Sequence, residues 1–430
     1  MFLSGKIRIN MADTRKEGKL ELKFEKGTES LSDLKNKVLK TATTETLELL
    51  SEGAISSGSS DIHFEPEEKS IRLRFRIDGV LENIMDLNKN DYPAILNRIK
   101  LMAGLKINIH ASPQDGRFTI KREGNDIEAR VSVLPGAYGE SVVMRLLDPL
   151  TLKKNLEELG MREELLKEIK KQLKKTTGSI LTTGPTGSGK TTTLYAFVNF
   201  VNKPGVKIVT IEDPIEYRLE GISQTQVEPD KGYSFANGLR SIVRQDPDVI
   251  LVGEIRDSET TEIVMHAALT GHLVFSTLHT NDAAGTIPRL IDMGTKPQVI
   301  APAVNLAMAQ RLVRKLCQEC KKKIKASAEE VKKMKEVLGS YWTNKSNRIE
   351  VFKKEGCGKC NFTGYKGRIG VFEAFAVDDE LEKLILKSPA VSEVRDLLRK
   401  RGMTTMLQDS YLKILDGIID FEEIERILGE

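Results

Sequence analysis

The stretch that decides the fold is SILTTGPTGSGKTTTLY, residues 179–195. Its first residues are apolar enough for a buried strand, and its last open a helical pattern. Between them Gly184, Pro185, Thr186, Gly187, Ser188, Gly189, Lys190 and Thr191 spell GxxxxGK[ST], in the strand-then-helix setting that gives this motif a mechanism. The glycines let backbone N–H groups turn inward onto phosphate oxygens, and the following helix adds its positive end to the same anion. Lys190 is placed to reach the outer phosphates of ATP. The Thr191 hydroxyl is expected on Mg²⁺, with Thr192 beside it at the start of the helix.

Outward from this loop, strands and helices alternate. VKIVTIED, DVILVGE and HLVFSTLHT read as strands, and FANGLRSIVRQD and SETTEIVMHAALTG as helices. The strands are almost continuously apolar, as in a parallel sheet covered by helices on both faces. In such a sheet, functional acids sit at the carboxyl ends of strands. Glu212, Asp213 and Glu216 follow one strand and Glu254 follows another. Gly253 stands where a Mg²⁺-holding acid is common. Glu254 is therefore expected to orient or deprotonate the attacking water, with Mg²⁺ met by Asp213 directly or through water. His272 and His279 bracket an extended segment about 23 Å long, too far apart to share a metal. His279, at the end nearer the phosphate loop, is the candidate sensor.

Residues 1–30 read as a polar lead-in and 31–148 as an α+β domain. In the latter Ile71, Leu73, Phe75 and Ile77 alternate with Arg72, Arg74, Arg76 and Asp78 up to an Asp-Gly turn. The arginine face is either solvated or part of a site. A linker is expected over 149–157, with LEELGMREELLKEIKKQLKK as a charged amphipathic helix leading into a core at 158–316. With 66 Lys+Arg against 62 Asp+Glu and 5% aromatic residues, neither a strong electrostatic field nor a base-stacking surface argues for direct nucleic-acid binding. No apolar run reaches 18 residues, so a cytosolic chain in a reducing compartment is expected. All four cysteines lie in two CxxC pairs, Cys317/Cys320 and Cys357/Cys360, and that spacing favours a tetrahedral Zn²⁺ site over disulfides. The metal would fold a small subdomain over 317–360, whose basic stretch 321–339 is either a solvated surface or a contact with a partner or anionic lipid. Residues 361–430 are expected to be helical.

GPTGSGKTTTLY, IEDPIEY, RQDPDVILVGEIRD and TGHLVFSTLHTND, in this order, resemble the traffic ATPases of bacterial type II secretion and type IV pilus assembly. SDIHFEP, RFRIDG, QDGR, GYKGRIGVFE and GMTTMLQDSYLKILDGI extend the resemblance over about residues 55–428. It implies a RecA-like P-loop core preceded by a smaller, PAS-like α+β domain, with a zinc insertion of the assembly class and a helical end. It implies a cytoplasmic homo-hexamer hydrolysing ATP to ADP and phosphate to drive pilin or pseudopilin polymerisation. Its partners would be an inner-membrane platform protein and cytoplasmic components, through which it meets the membrane. By the same resemblance Arg130 and Arg145 match arginines that clamp ATP phosphates on closure, and Arg240 and Arg244 a second pair near the phosphates. Such families commonly carry a further N-terminal domain, of which only the lead-in would remain here. A nucleic-acid motor on the same core and a nucleotide binder without turnover remain the alternatives.

Overall fold

The computed structural model describes residues 18–21, 31–38, 43–122, 126–149, 153–343 and 349–429. Most of the expected lead-in and residues 150–152 of the expected linker lie outside these. The chain divides into two compact units, Met1–Leu152 with Gly356–Tyr365, and Lys153–Glu355 with Lys366–Glu430.

The first unit is a seven-stranded sheet of β1 (Gly18–Glu21), β2 (Ser59–Pro66), β3 (Ser70–Ile77), β4 (Val80–Asn88), β5 (Gln114–Lys121), β6 (Ile127–Gly136) and β7 (Gly139–Leu147). Their spatial order is β1-β5-β6-β7-β2-β3-β4. Strand β1, inside the lead-in, pairs in parallel with β5. Burial alternates residue by residue along β3, which sends Leu73 and Phe75 inward and Arg74 and Arg76 outward. The β3–β4 turn is Asp78-Gly79, both at positive φ, which matches the twist of a two-residue hairpin. Helices Leu31–Val38, Thr43–Ser56 and Tyr92–Met102 close the core, in which Leu34, Leu50, Ile95, Phe64, Phe118 and Met144 form one cluster.

In the second unit β8 (Gly178–Thr183), β9 (Ile208–Glu212), β10 (Ser223–Gln226), β11 (Val249–Val252), β12 (Leu273–Leu278), β13 (Val304–Leu316) and β16 (Tyr365–Ala376) form a sheet ordered β10-β9-β11-β12-β8-β13-β16. The ladders from β10 to β13 are parallel. Strands β8, β9, β11 and β12 are buried at every position, as covered faces require. This is the α/β core expected from the phosphate-loop region. A second ladder pairs β14 (Lys322–Lys325) with β15 (Glu350–Lys353).

Three local expectations change. The charged stretch after the linker is two pieces, a short turn Leu156–Leu159 and a helix Glu163–Gln172. They part at Gly160, whose positive φ is coupled to close packing, since a Cβ there would lie 2.2 Å from Ile369. The basic stretch 321–339 begins as β14, and its helix, Ala328–Leu338, starts only at the Ser327/Glu330 capping box. The C-terminal region opens with β16, which completes the core sheet, and is helical from Asp379 onward. Among the described residues no helix is long and apolar enough to cross a membrane.

Phe275 of β12 is fully buried and packs edge-on against Phe197 at 5.8 Å. Phe275→Ala is expected to lower unfolding free energy by about 3–5 kcal/mol in urea denaturation. A loss under about 1 kcal/mol would mean that the core collapses around the deletion.

Candidate functional site

Strand order sets the site. β8 lies next to β12, and β12 next to β11, so the carboxyl ends of the three strands converge. The loop Gly184–Gly189 leaves the end of β8 with Gly184, Gly187 and Gly189 all at positive φ. At Gly184 a Cβ would stand 2.6 Å from the Gln310 carbonyl oxygen, so a side chain is excluded by contact as well as by conformation. Gly189 begins the helix Lys190–Val201. Pro185, Thr186 and Gly187 are exposed, and so is Thr191, whose hydroxyl is accessible to a metal. Such a rim of turned backbone at a helix N-terminus fits a nucleotide's phosphates.

Lys190 is half-buried, and its Nζ donates to the carbonyl oxygens of Gly184 at 2.6 Å and Pro185 at 3.2 Å. Burial pushes its ammonium pKa down; Glu254 opposes that shift and Arg311 adds to it. Both acceptors are neutral backbone carbonyls, so the positive charge of the ammonium stays at the loop.

Glu254 follows β11, and His279 follows β12. The adjacency of the strands brings His279 Nε2 to 3.3 Å from the Glu254 carboxylate, while Arg256 holds the other oxygen at 2.5 Å. Burial alone would raise the Glu254 pKa, but the hydrogen bonds and charges of Arg256 and His279 outweigh it and hold the carboxyl below its usual range. The group is thus ionised and oriented, as a water-activating carboxylate must be. Asp213 is exposed and acts electrostatically on Arg256, which ties it to the same cluster. Thr183 at the end of β8 and Thr280 after His279 are joined by paired hydrogen bonds of 2.7 and 2.8 Å, which link the phosphate loop to the histidine loop.

Glu212 does not join them. It is buried and accepts from Thr210 at 2.6 Å, from Gln224 at 3.1 Å and from the Tyr195 hydroxyl, so its carboxylate is turned into the core. Burial raises its pKa against those three hydrogen bonds. Where a place at the phosphates was expected, the structure gives its carboxylate a core-bridging position: Thr210, two residues back on the same strand face, and the Tyr195 and Gln224 side chains hold it inside. Arg240 is exposed and pairs with Glu259 at 2.7 Å, and exposed Arg244 donates to Ser241; neither contact reaches the phosphate loop. Arg130 and Arg145 lie on β6 and β7 of the first unit as direct cross-strand partners, with Arg130 held by Glu128 at 3.2 Å and Arg145 by Asp61 at 3.0 Å.

The sequence reading passed over Arg256, Gln310 and Arg311. Gln310 donates to the Ser188 carbonyl at 2.7 Å, and Arg311 binds the Gln310 and Asn281 carbonyls at 3.0 and 2.9 Å. The signal for both was β13 running parallel beside β8 and past its end, which propensity alone does not reveal.

The Sγ atoms of Cys317, Cys320, Cys357 and Cys360 lie within 4.8 Å of one another. Cys357 and Cys360 are 3.8 Å apart, the edge length of a tetrahedron whose centre is about 2.3 Å from each sulfur. The four thiols therefore fit a tetrahedral metal. The β14–β15 ladder sets this up by aligning Lys322, just after Cys320, with Lys353, just before Cys357.

A family model described as Type II/IV secretion system protein matches residues 39–426. The Type IV pilus assembly ATPase PilB of Myxococcus xanthus is 44% identical over 372 residues, 86% of this chain and 65% of its own length. The Type II secretion system protein E of Pseudomonas aeruginosa is 44% identical over 377 residues, 88% of this chain and 74% of its own. The chain thus spans about two thirds to three quarters of these relatives. Among solved structures, the pilus retraction motor PilT with bound ADP matches with a TM-score of 0.57 at 26% identity, over 88% of this chain and 96% of that one. The Legionella pneumophila ATPase DotB matches in fold with a TM-score of 0.65 at 22% identity, over 90% and 95%.

Because the folded chain holds the Glu212 proton more tightly than the unfolded chain, stability is lost as pH rises above the ordinary carboxyl value of 4.5. Glu212→Gln keeps an acceptor for Thr210 and Gln224 and removes that titration. Thermal melts at rising pH are expected to show the variant gaining on the unsubstituted chain; a constant gap would mean Glu212 titrates normally.

Proposed function

The chain belongs to the Type II/IV secretion system protein family, and from that premise we propose that it is a Mg²⁺-dependent ATPase motor. It works as a cytoplasmic homo-hexamer and drives pilin or pseudopilin polymerisation in type IV pilus assembly or type II secretion. It meets the membrane through an inner-membrane platform protein. The observation that carries the reading is the Glu254 carboxylate, fixed between Arg256 and His279 at the strand end adjoining the phosphate loop.

Lys190 exchanges its two carbonyl acceptors for phosphate oxygens when ATP enters. Glu254 accepts a proton from the attacking water, whose oxygen bonds to the γ-phosphorus as the bond to ADP breaks. His279 holds that carboxylate in line and senses its protonation. The Thr191 hydroxyl and Asp213 would hold Mg²⁺, which would supply charge neutralisation. Arg130 and Arg145 are proposed to close on the phosphates, as permanent cations that stabilise charge on the transferred group; Arg240 and Arg244 add to the field around it. Supplying cations from a separate domain makes hydrolysis and domain motion one event. The four cysteines would hold Zn²⁺ as a structural tie for the 317–360 segment, whose Met334, Leu338, Ile349 and Val351 are buried in an apolar cluster.

Glu254→Gln is expected to keep ATP binding and to lower kcat by about 10²–10⁴-fold; an unchanged kcat would leave a nucleotide binder without this catalytic base. Metal analysis of the purified chain is expected to find about one Zn²⁺ per chain. Cys317→Ser is expected to lose that metal and to melt at lower temperature, whereas a metal-free native chain would contradict the site.

A further inference from the structure

The loop that carries His279 is held from the C-terminal region of its own unit. Glu373 on β16 is buried, and each of its carboxylate oxygens accepts one backbone N–H. Oε1 takes that of Ala283 at 2.8 Å, a short way past His279, and Oε2 takes that of Met406 at 3.1 Å, the first residue of the helix Met406–Leu415. The two residues before Ala283 are anchored as well. Asp282 pairs with Arg395 of the helix Val391–Lys400 at 2.5 Å, and the Asn281 carbonyl accepts from Arg311 of β13 at 2.9 Å. Consecutive residues of the histidine loop are thus fixed by side chains from β13, from β16 and from a C-terminal helix.

At its near end the loop is fixed by Thr280, which is bonded to Thr183 of β8. Within it Asp282 closes the turn, accepting the Thr280 hydroxyl on its carbonyl at 2.9 Å and the Gly285 N–H on its carboxylate at 2.8 Å. His279 precedes this braced segment and reaches Glu254 at 3.3 Å, yet its side chain is 51% exposed. Packing therefore does little to aim the imidazole, and the backbone that carries it does more. We infer that Glu373 is a positioning residue of the hydrolysis site: by tying Ala283 to the C-terminal helix it sets the backbone from which His279 reaches Glu254.

The chemistry of the side chain fits this role. An ionised carboxylate offers two acceptor oxygens and no donor, so it suits two N–H groups arriving from different elements. A glutamine of the same shape presents its NH₂ to one of them and leaves that N–H unpaired in the interior. Burial pushes the Glu373 carboxyl pKa up, and the Ala283 and Met406 N–H groups oppose that rise; Asp282 adds to it and Arg311 counters it. Arg311 in turn follows Gln310, which donates to the Ser188 carbonyl of the phosphate loop at 2.7 Å. The phosphate loop thus has its own anchor on β13, separate from the Glu373 bridge.

The inference rests on the proposed ATPase reading and is tested so that the two fail separately. In the assembled chain with ATP and Mg²⁺, kcat is measured per nucleotide site titrated with a non-hydrolysable ATP analogue, so that misfolded chains are not counted. Glu373→Gln is expected to lower this kcat by about ten-fold or more, with affinity for the analogue unchanged within about two-fold. In a His279→Ala background the same substitution is expected to add less than about two-fold, because residues that act through one contact are not additive. Arg395→Ala, at a side chain that is 41% exposed, is expected to show the same split, and keeps the inference falsifiable should Glu373→Gln fail to fold. Equal losses from Glu373→Gln with and without His279 overturn the inference, since Glu373 then acts elsewhere. A lower Tm and fewer titrated sites at unchanged kcat per site also overturn it, leaving Glu373 a structural residue. If Glu254→Gln and His279→Ala leave kcat unchanged, the ATPase reading fails and the inference with it, whereas a silent Glu373 beside an essential Glu254 sinks the inference alone.

Discussion

A carboxylate beside a phosphate loop is repelled by any nucleotide that enters, unless cations hold it in place. Glu254 is held by two, Arg256 from its own loop and His279 from the end of the neighbouring strand. That contact exists only because β11 and β12 are adjacent and parallel, which sends their carboxyl ends to the same edge as the phosphate loop. The order β9-β11-β12-β8 is thus the structural condition for the chemistry. The buried apolar runs that enforce the order are conditions for it in turn. Thr183 and Thr280 tie the two loops together, so the site is braced at the ends of the strands as well as along them.

Much of this was legible in the residues. A glycine-rich turn between an apolar strand and a helix has few physical uses, and the run of apolar strands following it could be buried only by a parallel sheet. The alternation in β3 and the two CxxC pairs were equally direct, because both depend on spacing alone. Propensity does not carry the rest. Strand β13 reads MAQRLVRKL at its far end, too charged to declare itself a strand, yet it flanks the phosphate loop because pairing with β8 continues that way. Strand β16 hides in a glycine-bearing segment for the same reason. Glu212 looked like a phosphate-site acid because it ends a strand. Its direction is decided by three donors, of which Thr210 is two residues back on its own strand while Tyr195 and Gln224 come from a helix and another strand.

The division of charge between the two units gives the account its mechanical content. The second unit holds the Glu254 carboxylate, Lys190 and the loop proposed to receive phosphate. The first holds Arg130 and Arg145, which its own sheet pairs with Glu128 and Asp61. Under the proposed function, arrival of a triphosphate would compete with these carboxylates for the guanidinium groups and favour closure, and loss of the terminal phosphate would weaken it.

The central claim is therefore that nucleotide draws the arginine-bearing unit toward the phosphate loop. It is tested most directly by the distance between spin labels at exposed Leu134 and exposed Leu386, one in each unit, attached by chemistry that spares the four cysteines. Addition of a non-hydrolysable ATP analogue is expected to shift the distance distribution and narrow it, with the shift abolished in the Arg130→Ala/Arg145→Ala chain. Identical distributions with and without nucleotide would contradict the account.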